Sequence, residues 1–207
     1  MEPDDIRRSI REAYDERAEA YDENAMHRAL AAEVAAFVRL DGVMSTLDVA
    51  TGTGLVLRAL ADRSPDLRLT GIDLSSGMLA VARRSLPGAE WIQADAVALP
   101  IRDGSVDLVT CVTALHIIPE VDAAVAEWVR VLVPGGRAVT ATFAGEGHPH
   151  SHTHTGDHAP RYPRVHAPFA TADALAATVA PSGLELTRHE VWSHGDDTVL
   201  IAELRKP

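Results

Sequence analysis

Apolar positions recur at spacings of three and four through residues 4–22, where Ile6, Ile10, Ala13, Tyr14, Ala18 and Tyr21 share a face. The same spacing returns in residues 27–40, with Leu30, Val34, Phe37 and Val38 on the apolar side and Asp41-Gly42 as the stop. Both stretches predict amphipathic helices. At Met44 the period changes. A short unbroken apolar run reaches Ala50, turns glycine-rich, and passes into the helical spacing of Leu55 to Leu60. Further strand runs lie at Leu67–Ile72, Glu90–Ala94, Val106–Val112 and Arg137–Phe143, separated by helical stretches at Ser75–Leu86 and Val121–Leu132. Pro134-Gly135-Gly136 reads as the turn into the last of these strands. Thr171 caps a helix to about Ala180, and Leu184–Trp192 and Thr198–Leu204 read as a hairpin joined by Ser193 to Asp197. Strands alternating with helices predict an α/β fold with a doubly wound, mostly parallel seven-stranded sheet, ending in an antiparallel hairpin.

No linker or internal repeat divides the 207 residues, so one domain is expected. Its parts are an N-terminal helical region (1–41), a core (42–143), a loop region (144–170) and a C-terminal helix with the hairpin (171–207). The loop region holds His148, His150, His152, His154, His158 and His166 among prolines and glycines, without helical or alternating pattern. A metal bound there is the weaker reading, and none is assigned. The formal net charge of -11, from 30 acids against 19 bases, argues against a nucleic-acid partner. Cys111 is the sole cysteine, so no intrachain disulfide is expected. The charged N-terminus and the lack of an apolar run near ~20 residues predict a cytoplasmic protein off the membrane, monomer or homodimer.

The candidate chemistry gathers at strand ends. Gly52 and Gly54 can take φ > 0 and let a ligand approach the backbone. A dinucleotide loop would carry a third glycine where Leu57 stands, which argues against a nicotinamide oxidoreductase, as does the absence of a Tyr-x-x-x-Lys pair. Instead three acids, Asp48, Asp73 and Asp95, close or immediately precede the ends of successive strands. In a doubly wound sheet they face one crevice. Carboxylates there accept hydrogen bonds from an amino group, ribose hydroxyls and an adenine amine, the donor set of S-adenosylmethionine.

The chain resembles the class I S-adenosylmethionine-dependent methyltransferases, within them the small-molecule group similar to ubiquinone/menaquinone-pathway methyltransferases. The segments that carry this are LDVATGTG (47–54), GIDLSSGML (71–79), QADAVALPI (93–101), VDLVTCVTALHIIPE (106–120) and VLVPGGRAVTATF (131–143). Ala50 stands where the family pattern usually has its first glycine, a mild departure. The resemblance implies transfer of a methyl group to a small-molecule acceptor, O-methylation before N or C. The same fold without methyl transfer is the alternative. It implies an N-terminal lid in which Tyr14 and Tyr21 cover cofactor and substrate. Cofactor contacts are then expected from Tyr14, Tyr21, Asp48, Ala50, Thr51, Gly52, Asp73, Leu74, Asp95, Ala96 and Thr113. His116, after the fourth strand, is the candidate general base, and Tyr14, His116, Phe143 and His148 are the expected substrate contacts.

Overall fold

The computed structural model describes residues 2–144 and 161–207. The His148 expectation, and the alternating histidines around it, lie outside the described residues. Helix α1 (Pro3–Arg17) runs into a 3₁₀ turn (Ala18–Glu23) and then α2 (Ala25–Phe37). Strand β1 (Ser45–Val49), α3 (Leu55–Arg63), β2 (Arg68–Asp73), α4 (Ser76–Ser85) and β3 (Glu90–Gln93) follow. The chain then forms β4 (Val106–Val112), α5 (Val121–Val131), β5 (Leu132–Phe143), α6 (Ala172–Val179), β6 (Glu185–His194) and β7 (Asp197–Arg205).

The seven strands form one sheet in the order β3-β2-β1-β4-β5-β7-β6. β3 through β5 pair in parallel, while β7 is antiparallel to both β5 and β6. The order reverses between β1 and β4, which opens a crevice at their carboxyl ends. One sheet face is covered by α5 and α6 through Val125, Trp128, Val131, Leu175 and Val179. The other is covered by α2 and α3 through Leu30, Val34, Leu57 and Leu60. The central strands β1 and β4 are buried on both faces, which is why their sequences read as apolar runs.

Four local differences from the sequence reading have physical causes. The first helix leaves α geometry at Arg17, and Tyr21 rides on the 3₁₀ turn. The second starts at Asn24, whose side chain accepts from Met26 and His27 backbone N–H groups, and ends at Phe37 well before Asp41-Gly42. Val133 to Gly136 are not a turn ahead of β5 but a register shift within it, since Val106 pairs Leu132 while Leu108 pairs Arg137. The hairpin is tighter than expected: His194 pairs Asp197, leaving Gly195-Asp196 as a two-residue loop with Gly195 at φ 59°.

Gly54 also has a different task from the one its motif suggests. It sits at φ 79° as the N-cap of α3. A Cβ there would lie 2.5 Å from the Trp91 ring, and one on Gly71 would lie 2.4 Å from the same ring. The two glycines make the slot in which Trp91 packs, its indole N–H donating to the Leu86 carbonyl at 3.1 Å. Gly54→Ala combines a left-handed alanine with overpacking and is expected to cost roughly 2–4 kcal/mol. Urea denaturation checks this, and Trp91→Leu in the Gly54→Ala background should recover part of the loss. An unchanged unfolding midpoint in the single variant would contradict the packing account.

Candidate active site

The glycine loop is held from three sides. Asp48 is buried in β1, and its two carboxylate oxygens accept the hydroxyls of Thr51 and Thr110, each at 2.6 Å. Thr51 donates its backbone N–H to the Ile72 carbonyl at 2.9 Å. Asp73, at the end of β2, accepts the Gly52 N–H at 2.8 Å and the Ser75 N–H at 2.8 Å. One acid therefore joins the glycine loop to the N-terminus of α4. Ala50 holds φ 55° at the start of this loop and Thr113 holds φ 53° where β4 ends. Alanine is thus less neutral at 50 than its size suggests, because the left-handed region disfavours a Cβ by ~1–2 kcal/mol.

Burial pushes the Asp48 carboxyl up to about 6, opposed by its bonds from Thr110 and Thr51. Burial likewise pushes Asp73 up to about 6, opposed by the N–H groups of Ser75 and Gly52. Each of the two also feels a neighbouring acid, Asp73 on Asp48 and Asp15 on Asp73. Both groups are raised in the folded protein, so the folded state binds their protons more tightly. The penalty for ionising them grows as pH rises from the ordinary carboxylate range through about 6, and is constant above.

The N-terminal segment lies across the crevice. Asp15 accepts the Ser75 hydroxyl at 2.6 Å and the Gly77 N–H at 2.8 Å, a cap supplied to α4 from another helix. Asp22 accepts from the Thr53 hydroxyl and from Arg58, each at 2.5 Å. Arg7 pairs with Asp95 at 2.5 Å and also with Glu120. The two tyrosine rings lie 6.3 Å apart, with the Arg17 guanidinium 3.6 Å from the Tyr14 ring centre. Burial raises both phenols, Tyr21 to about 12, so each stays protonated as a donor at neutral pH.

Under this cover is a cavity lined by Tyr14, Tyr21, Gly52, Asp73, Asp95 and Thr113. Ala50, Leu74 and Ala96 line it too, with apolar walls from Ile10, Ile117 and Ile118. A second space lies over the glycine loop, lined by Tyr21, Asp48, Ala50, Thr51, Gly52 and Thr113, with His27 of α2 on its wall. All eleven expected cofactor contacts therefore border one of two adjoining cavities. The donor set fits a nucleoside with an amino-acid arm. The two N–H bonds to Asp73 leave carboxylate lone pairs for hydroxyls. A Cβ on Gly52 would meet only Tyr21, at 3.9 Å, so the backbone there is open to a ligand.

His116 lies in a 3₁₀ turn (Leu115–Ile117) just past β4 and is buried. Its neighbours Ala114 and Ile117 face the nucleoside cavity. Its own ring stacks on His166 at 4.5 Å and meets the Phe143 ring edge-on at 5.5 Å. The Val165 N–H donates to the His116 carbonyl at 2.7 Å, which fixes the His166 segment against the turn. Phe143 and His116 are thus brought together.

Arg7 and His27 are the residues the sequence reading passed over, while His166 was named only as one of the loop histidines. Arg7 shares a helix face with Ile10 and Tyr14, at spacings of three and seven, and His27 sits three before Leu30 on the buried side of α2. A polar side chain at an apolar period position was the available signal. His166 stood in the histidine-rich segment, but nothing in that aperiodic stretch showed that it meets His116.

Residues 47–140 match the "Methyltransferase domain" family model. Demethylmenaquinone methyltransferase of Thermus thermophilus is 40% identical over 101 residues, which is 47% of this chain and 46% of that protein. Ubiquinone/menaquinone biosynthesis C-methyltransferase UbiE of Methylobacterium nodulans is 38% identical over 104 residues, 47% of this chain and 41% of that protein. The chain spans less than half the length of these relatives. A solved structure described as the [4+2]-cyclase SpnF superimposes with a TM-score of 0.70 at 24% identity, over 87% of this chain and 80% of its own. No helix among the described residues is long and apolar enough to cross a membrane.

Occupation of the nucleoside cavity should depend on pH through Asp73. Hydroxyl donors favour the ionised carboxylate, so binding expels its proton. Affinity for S-adenosylhomocysteine is expected to be flat above pH 7 and to fall below about 6, by at most ~10-fold per pH unit. Asp73→Asn should weaken binding by ~1.5–3 kcal/mol and flatten that slope. Calorimetry from pH 5 to 8 on folded protein checks both, and pH-independent affinity in the unaltered chain would contradict the assignment.

The methyltransferase-domain match over residues 47–140, the strand order and the cavity at the switch point make the chain similar to class I S-adenosylmethionine-dependent methyltransferases, the quinone-pathway enzymes among them.

Proposed function

We propose that this protein transfers a methyl group from S-adenosylmethionine to a small, flat acceptor bearing an acidic hydroxyl, of phenol or quinol type. The observation that carries this reading is the ring cluster of His116, His166 and Phe143 past the end of β4, where the neighbours of His116 in the chain, Ala114 and Ile117, line the nucleoside cavity. The bound cofactor supplies an electrophilic methyl on a sulfonium sulfur. The chain supplies orientation, exclusion of water and a proton acceptor. Asp73 holds the ribose hydroxyls. Ala96, Ile117 and Ile118 flank the adenine, whose amine shares Asp95 with Arg7. Tyr14 and Tyr21 close the roof. His116 takes the hydroxyl proton, and Phe143 sets the plane of the acceptor ring.

Removing that proton makes both the oxygen and an adjacent ring carbon nucleophilic. One base therefore serves O- and C-methylation alike. The hydroxyl whose proton His116 removes is the primary nucleophile, so O-methylation is placed first. C-methylation, the reaction in the printed name of the UbiE relative, is the direct rival. A second reading keeps the cofactor without methyl transfer, since a protein described as a cyclase shares the fold.

Incubation with methyl-labelled cofactor and a panel of phenols and quinols separates these readings. Label in an ether product supports O-methylation, label on ring carbon supports the rival, and cofactor binding with no labelled product supports the second reading. His116→Ala is expected to lower turnover by ~10²–10⁴ while leaving cofactor affinity unchanged. A loss of only a few-fold would reduce His116 to a wall of the pocket.

A further inference from the structure

The cavity over the glycine loop poses an electrostatic problem. If the reading above is correct, it receives the amino-acid arm of the cofactor, which carries an ammonium and a carboxylate. The ammonium suits a site with Asp48 on its wall. The carboxylate does not, because like charges in a partly buried site repel. It needs a donor, and most of the hydroxyls around the cavity are committed. Thr51 donates to Asp48 at 2.6 Å, Thr53 donates to Asp22 at 2.5 Å, and the hydroxyls of Tyr21 and Thr113 share a hydrogen bond.

His27 is the one basic side chain among the described residues that line this space. It stands on the first turn of α2, directed inward by the Asn24 cap, which accepts the backbone N–H groups of Met26 and His27. Its ring lies on the Tyr21 ring, 4.6 Å between centres and 23° between planes. Tyr21 in turn approaches Gly52, the glycine whose missing side chain opens the loop. The imidazole is therefore fixed by stacking, opposite the backbone against which the arm would lie. Arg7, the basic side chain on the nucleoside cavity, is held by Asp95 and Glu120 on the other side of the site.

We infer that His27 receives the carboxylate of the cofactor's methionine end through an imidazole N–H, so that the amino-acid arm is held between the glycine loop and α2. This deepens the cofactor reading and rests on it.

The test compares two nucleoside thioethers that differ only beyond the sulfur. S-adenosylhomocysteine carries the amino-acid arm, and 5′-methylthioadenosine carries a methyl group instead. Calorimetric titration of the unaltered chain with each gives the reference. His27→Leu should weaken S-adenosylhomocysteine ~10-fold or more, the scale of a lost hydrogen bond to a charged group. It should leave 5′-methylthioadenosine within about two-fold, since a group acting only on the arm adds nothing to the nucleoside. His27→Gln keeps an N–H donor and should recover most of the loss. Equal weakening of both compounds, or of neither, would overturn the role of His27. If the unaltered chain bound neither compound, the cofactor reading itself would fall, and the inference with it.

Discussion

The buried carboxylate of Asp73 is the interaction on which the site depends. By accepting the N–H groups of Gly52 and Ser75 it ties the glycine loop to the start of α4. That joint sets the floor of the nucleoside cavity. It comes at an electrostatic cost, since burial, with Asp15 nearby, pushes the carboxyl up to about 6. A ligand that donates two hydroxyls to this group relieves part of that cost. Asp48 repeats the arrangement one strand away, with hydroxyls in place of backbone N–H groups. Internal hydrogen bonds thus fix the shape of the loop from both sides.

The N-terminal segment extends the same logic outward. Asp15 caps α4 from a different helix, Asp22 holds Thr53 and Arg58, and Arg7 reaches Asp95 and Glu120. Acids in the lid meet N–H and hydroxyl donors of the core, and a cation in the lid meets an acid of the core. Gly77 permits the closest of these approaches, since a Cβ there would lie 3.1 Å from the Asp15 Cα. Glycine in the 71–79 motif thus serves the lid contact as well as the helix start. These contacts surround the cavity edge, so the lid and the site share their residues.

Much of this was legible in the chain because it follows from period. Unbroken apolar runs marked the parallel strands, and strand-end acids marked the crevice. Thr171 announced a helix start as its cap. What escaped had no periodic signal or carried a misleading one. Gly54 reads as ligand-facing because glycine-rich loops bind ligands, yet its freedom is used by Trp91, thirty-odd residues away in sequence. Pro134-Gly135-Gly136 reads as a turn, but pairing across the sheet absorbs it as a bulge. Arg7 and His27 lie at core positions of their helices, and only tertiary packing shows that those faces border a cavity. The stacking of His116 on His166 joins two segments with no common pattern.

The central claim is that one cavity, floored by Asp73 and roofed by Tyr14 and Tyr21, holds the nucleoside of S-adenosylmethionine. A crystal structure of the chain with S-adenosylhomocysteine tests it most directly. The account predicts both ribose hydroxyls on the Asp73 carboxylate, the adenine beside Asp95 and Ala96, and the amino-acid arm over Gly52. Nucleoside density elsewhere, or hydroxyls without contact to Asp73, would contradict it.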